Sequence, residues 1–460
     1  MSLIIKNGMI VTASDVFKAD MKISGGLIEE ISCSMVQGEN DEIIDAEGQY
    51  VLAGGIDPHV HFGVPGYADD FRDGTRAAAA GGITTILNFV EPPLPGRTLM
   101  ENFSMWKDMA KDSYIDYGLQ PIINEEHSEE ALSLMPELLK EGVSTVKLFM
   151  SARGIGLMVS DANLYRILSE LSKNHMLATV HCENGDIIDQ IVKETVEKGN
   201  TSTLYHGLSR PEAMEAEATN RILSIAQVTG ANIRVAHVSC KQAMDVIEAA
   251  QERGVHAYGE TCAHYLTKDI TDLDKDFAYS SRFICSPPLR EKWNQDALWK
   301  GIKKGILSTM GSDHAPVPYK DGKTKGMDNF SKIPNGGPGV EDMFSIMYHY
   351  GVHEGRITLP EFTRILSFNT AKLMGIYPQK GVLQVGADAD IVILDPNQTR
   401  TITVDKQYQK CDYNAYEGTT VYGVITHVLS RGEEIVRDGI FQAEEQIGRG
   451  HYLYRKPIAE

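Results

Sequence analysis

The sequence predicts an α/β protein: a (β/α)8 barrel with a small β-domain drawn from both ends of the chain. Three observations carry this. Apolar, β-branched runs alternate with helical patterns about eight times, over roughly 320 residues in the middle of the chain. Those runs are continuously apolar, as strands covered on both faces are. The two ends instead show short strand-like segments broken by turn residues. A doubly wound open sheet fits the same periodicity.

In chain order, Ser2–Val11, Met21–Ser24 and Glu42–Asp45 read as strands, separated by turn residues such as Gly25, Gly26 and Gly48. The eight candidate barrel strands are Gly55–His61, Ile83–Phe89, Ile115–Ile122, Ser144–Met150, Leu177–His181, Ile233–His237, His256–Thr261 and Leu307–Asp313. Helical patterns between them include Glu129–Glu141, Asn163–Asn174, Arg210–Thr229, Cys240–Arg253 and Asn294–Lys304. Residues 317–339, rich in Gly, Pro, Lys and Asp, form a long loop after the eighth strand. Ala389–Asp395, Val421–Leu429 and Glu434–Arg437 return to strand texture. The expected divisions are 1–52 and 379–460 for the β-domain and 53–378 for the barrel.

Composition narrows the function. The chain has 460 residues, 42% hydrophobic and 23% charged, ordinary globular values. Its net charge of −19 argues against nucleic acid or an anionic membrane as partner. Six scattered cysteines with no CxxC pair form no disulfide framework. The N-terminal apolar run is too short for a signal peptide, and a reducing cytoplasm is the expected location.

Metal-competent residues gather at candidate strand ends. His59 and His61 close the first strand, His181 the fifth, His237 the sixth and Asp313 the eighth, and Lys147 lies in the fourth. In a barrel those ends converge on one face, where active sites lie. The HxH spacing points two imidazoles to one side of a strand. Four imidazoles and a carboxylate suit Zn²⁺ or a neighbouring transition metal. Lys147 is either a snorkelling or ion-paired lysine, or a neutral amine that takes up CO₂ to become a carbamate bridging two metals. The remaining histidines read as surface or packing residues, with His264 either packing in the core or supporting the site from behind. Lys320–Lys325 reads as a solvated rim.

These residues sit in motifs that resemble the amidohydrolase superfamily, and within it the cyclic amidases. The motifs run in order along the chain: GGIDPHVHF (54–62), STVKLFM (144–150), TVHCEN (179–184), AHVS (236–239), GETCAHYL (259–266), SPPLR (286–290), GSDHAP (311–316), PNGGPGVED (334–342) and KGVLQVGADADIVILD (380–395). The resemblance implies a barrel capped by a β-sandwich from both termini and two divalent metal ions, zinc with manganese or cobalt as alternatives. His59, His61 and Asp313 would hold one ion, His181 and His237 the other, with carboxylated Lys147 between them. A hydroxide bridging the metals would attack a cyclic amide or ureide, with Asp313 carrying its proton to the leaving nitrogen. The product would be an N-carbamoyl amino acid.

Gly63, where dihydroorotase-like proteins carry an arginine, argues against that branch. LYHGLSRPEAMEAEA (204–218), SPPLR and PNGGPGVED favour the hydantoinase/dihydropyrimidinase branch, in which Ser286 and Asn335 would hold the ring. The short HFGVPG loop (61–66) is shared with allantoinases, the alternative branch. Ala152 stands where hydantoinases carry an oxyanion-stabilising tyrosine; Tyr67 and Arg153 are nearby candidates to replace it, though an ordinary loop role fits either residue. Loss of that hydroxyl is also the one feature pointing to a non-catalytic assembly protein of the collapsin response mediator type. The resemblance further implies a homo-oligomer, a dimer or tetramer.

Overall fold

In the computed structural model, which describes residues 2–458, eight parallel strands close into a barrel. They are Gly55–Val60, Ile83–Val90, Asp116–Pro121, Thr145–Phe149, Leu177–His181, Asn232–Val235, Ala257–Thr261 and Leu307–Met310. The first three pair in order, and so do the last five. A bridge between Ile122 and Lys147 joins the groups, and one between Val60 and His314 shuts the barrel. The open-sheet alternative is thereby removed. Every residue of Ile83–Val90 is buried, the signature of a strand covered on both faces.

The outer helices follow from apolar spacing and local caps. Asp161–Lys173 buries Leu164, Ile167, Leu168 and Leu171, one stripe at helical period. Phe71–Ala80 is capped by the Asp70 carboxylate, and Leu99–Met109 by a reciprocal Thr98–Glu101 box. Those two helices and Gly185–Glu197 are additional to the ones singled out from the sequence.

Both chain ends build one nine-stranded mixed sheet. Tyr50–Ala53 joins the halves: it runs parallel to Leu3–Val11 and antiparallel to Ile391–Thr401. Ile5, Ile10, Val51, Ile391, Ile393 and Leu429 form its own buried cluster, apart from the barrel core. A charged knot ties sheet to barrel. Lys380, fully buried, meets Asp116 at 2.6 Å, Asp390 at 2.7 Å and Asp388 at 2.9 Å. The C-terminal segment then returns beneath the barrel, where Arg455 donates to Thr145 Oγ1 at 2.7 Å.

Five strands stop one to three residues short of the expected ends, at Val60, Pro121, Phe149, Val235 and Met310. His237 and Asp313 have φ of 40° and 51°, in the left-handed region, which no strand can continue through. Their side chains are therefore aimed by loop turns just beyond the strands. The 320–325 loop also departs from expectation. Lys323 is wholly buried, so this stretch is not simply a solvated rim.

Candidate metal centre

The carboxyl ends of the barrel strands open into a cavity of about 380 Å³. His59, His61, Lys147, His181, His237, Ser286, Asp313 and Asn335 all line it, although they come from six of the eight strand ends and the following loops. A larger cavity of about 750 Å³ opens at the opposite end of the barrel, beside Ala257 and Ser308, and contains none of these residues.

His59, His61 and Asp313 form one group, with potential ligand atoms within 4.8 Å of one another. Asp313 Oδ1 lies 3.1 Å from His59 Nε2 and 3.6 Å from His61 Nε2. His181 and His237 form the second group, with Nδ1 and Nε2 facing each other at 3.0 Å. The His59 and His237 rings are 5.4 Å apart, so the two groups adjoin. Lys147 stands between them, its Nζ 3.4 Å from His59 Nε2 and over the faces of Phe89 and Phe149.

Carboxylates behind the histidines orient them. Glu260 Oε1 meets His59 Nδ1 at 2.6 Å and accepts the His237 backbone N–H at 3.2 Å. Its other oxygen pairs with Arg234 at 2.6 Å, and all these side chains are buried. Glu183 Oε2 meets His181 Nε2 at 2.8 Å. Such partners fix which ring nitrogen faces the site. Gly311 makes room for this packing: a Cβ there would sit 2.8 Å from the His59 Cβ and 3.0 Å from the Glu260 carboxyl. Left-handed backbone at His237 and Asp313 is local strain of the kind functional sites retain.

Charge follows from this geometry. Burial raises the Glu260 carboxyl, but Arg234 and His59 outweigh it and hold it at about 2. Burial likewise opposes ionisation of Asp313, and His59, His237 and His61 together keep it well below the usual carboxylate range. Burial pushes the Lys147 amine down to about 8. His237 is driven well below its ordinary value by burial and by His181, and its Nδ1 has no partner among the described residues. Four imidazoles, an ionised carboxylate and an easily neutralised amine make a donor set that fits divalent transition metals.

The other candidates separate. Tyr67 lines the cavity, whereas exposed Arg153 pairs with Asp186 outside it. Ala152 lines it in a left-handed turn. His264 lies in a separate cavity of about 40 Å³ behind Asp313, and burial pushes its imidazole down to about 4. Glu260, Glu183 and Arg234 were not singled out from the sequence. The first two stand in quoted motifs, and Arg234 is a lone charge inside an apolar strand, a signal that was available.

A closed (β/α)8 barrel with clustered histidines, aspartate and lysine at its catalytic face defines a metal-hydrolase type of architecture. Comparison with known proteins is more specific. The sequence model of the amidohydrolase family matches residues 50–435. A D-hydantoinase of Geobacillus stearothermophilus is 42% identical over 99% of this chain and 97% of its own. A dihydropyrimidinase of Dictyostelium discoideum is 37% identical over 99% of this chain and 91% of its own. Among solved structures, a D-hydantoinase superposes with a TM-score of 0.96 at 41% identity, covering all of both chains. The dihydropyrimidinase from Brevibacillus agri gives 0.95 at 41%, again covering all of both chains. This chain belongs to the amidohydrolase family.

Proposed function

We propose that this protein is a metal-dependent cyclic amidase of the hydantoinase/dihydropyrimidinase branch, opening a hydantoin or dihydropyrimidine ring to an N-carbamoyl amino acid. The observation that carries the reading is the convergence of eight separately identified residues on one cavity. His59, His61 and Asp313 would hold one ion and His181 and His237 the other, with Lys147 reaching both. When bound, the ions would acidify a shared water and polarise the scissile carbonyl.

The chain's own groups do the rest. The Lys147 ammonium gives up a proton and the neutral amine adds to CO₂; an N–C bond forms as one C–O π bond opens, a second proton leaves to water, and a carbamate anion stands where a cation stood. That exchange removes the repulsion a buried ammonium would exert on the ions. Asp313, held ionised, takes a proton at Oδ and delivers it to the ring nitrogen as the C–N bond breaks. Neither Ser286 nor Asn335 has an intramolecular hydrogen bond among the described residues, leaving their backbone groups for the substrate's amide edges.

The divisions 1–52, 53–378 and 379–460, and assembly into a dimer or tetramer, belong to the same reading. Among the described residues no helix is long and apolar enough to cross a membrane.

The test is ring opening by protein loaded with Zn²⁺ or Mn²⁺ in the presence of bicarbonate. Hydantoin, 5-substituted hydantoins, dihydrouracil and allantoin are the panel, with the carbamoyl product identified by mass. Turnover of a hydantoin or dihydrouracil is expected, and would also eliminate the non-catalytic reading. Turnover of allantoin alone would transfer the chain to the neighbouring branch. Silence on all four with two ions bound would refute the proposal.

A further inference from the structure

Outside the metal cluster, Lys323 is a buried charged group that the reaction as described does not use. It has no exposed surface. Buried lysines are ordinarily compensated by a carboxylate. Here Nζ instead donates to two backbone oxygens, Pro334 at 2.8 Å and Ile284 at 3.0 Å.

Those oxygens belong to the two segments that carry Ser286 and Asn335. Ile284 precedes Ser286 by two residues, and Pro334 immediately precedes Asn335. The Pro334 oxygen and the Asn335 N–H are opposite ends of one peptide unit. Donation to that oxygen polarises the unit and strengthens the N–H as a donor. The Ile284 oxygen also accepts from the Gly336 N–H at 3.0 Å, so the segments are stitched directly to each other. The residue between Ile284 and Ser286 is anchored too. His206 Nε2 meets the Cys285 oxygen at 2.7 Å, while Arg210 donates to His206 Nδ1 at 3.1 Å, which makes Nε2 the donor. Ser286 and Asn335 are thus flanked by anchored residues, Cys285 before the first and Pro334 and Gly336 on either side of the second.

We propose that Lys323 is a positioning residue for substrate: its amino group sets the spacing between Ser286 and Asn335 and sharpens the Asn335 N–H as a donor to a ring carbonyl. This rests on the reading that Ser286 and Asn335 hold a cyclic amide, and extends it to a residue that does not itself line the cavity. A tether that served folding alone would register in stability; a positioning tether registers in substrate binding.

The experiment compares the full, metal-loaded chain with Lys323→Met, which keeps an aliphatic stem and removes both donations. Lys323→Gln, whose amide can restore one donation, serves as the second variant should the first not fold. Hydantoin and dihydrouracil are the probes. Loss of a buried hydrogen-bond clamp used equally in ground and transition states raises KM by about tenfold or more, with kcat within about threefold. Metal content stays at the wild-type level, and Lys323→Gln falls between wild type and Lys323→Met. A folded variant with the wild-type KM, however low its melting temperature, overturns the proposal. So does a variant whose defect is loss of bound metal or of kcat alone. A wild type that binds two ions and opens neither ring overturns the underlying reading instead.

Discussion

Glu260→Gln separates two jobs of one buried carboxylate. One oxygen neutralises Arg234 at 2.6 Å, and the other orients His59 at 2.6 Å; Arg234 and Glu260 have no exposed side-chain surface. Glutamine keeps the shape and removes the charge. Arg234 then loses its ion-pair partner: its remaining hydrogen bonds go to the neutral Thr179 hydroxyl and Pro58 oxygen, and Asp57 acts on it only through space. Removing one partner of such a pair costs about 3–5 kcal/mol. Loss of the carboxylate behind a metal-binding imidazole costs about 10–100-fold in metal affinity. Unfolding of the chelated protein reads the first quantity, and chelator competition reads the second. The double variant Arg234→Met/Glu260→Gln distinguishes them. With both charges gone, apo stability recovers most of the loss, while metal affinity stays low because His59 still lacks a charged partner. Apo stability of Glu260→Gln within about 1 kcal/mol of wild type would refute the charge argument. Metal affinity restored in the double variant would refute the orienting role.

Three further outcomes are expected. Lys147→Ala loses most bound metal and ring-opening activity, and short carboxylic acids partly restore both by supplying the missing anion; metal analysis with added formate or acetate checks this. Lys380→Met strips Asp388 and Asp390 of their lysine and leaves Asp116 with Arg431 alone, and lowers the unfolding midpoint by the equivalent of about 3–5 kcal/mol, read by thermal melting. His264, lowered by burial from 6.5 to about 4, is neutral in the folded protein where the unfolded chain would protonate it. Its contribution is therefore present above pH 6.5 and is lost as pH falls towards 4, about 3 kcal/mol in all. The apo protein's melting temperature should fall over that window, and less steeply in His264→Gln.

What could be read from the sequence was what repeats locally. A strand such as Ile83–Val90 announces itself because both faces are buried, so every position is free of charge. Histidine and aspartate could be singled out because they fall at corresponding places in successive strand–helix units. Strand ends were less legible: nothing in AHVS or GSDHAP says that His237 and Asp313 turn left-handed, since that backbone is imposed by the surrounding barrel. Least legible was which charge neutralises which. Lys323 sits among glycine, proline and lysine and reads as solvated, yet the oxygens that receive it lie 39 and 11 residues away in sequence. Arg234 and Glu260 become neighbours through the register that sets Arg234 beside Tyr258, placing residue 260 one pleat further along the same face. His59 joins them only when barrel closure brings the first strand round to residue 260, 201 positions on. Residue type and spacing can nominate ligands, because a ligand is a property of a side chain. Orientation and charge balance are properties of pairs, and in a closed barrel the decisive pairs are set by register and closure.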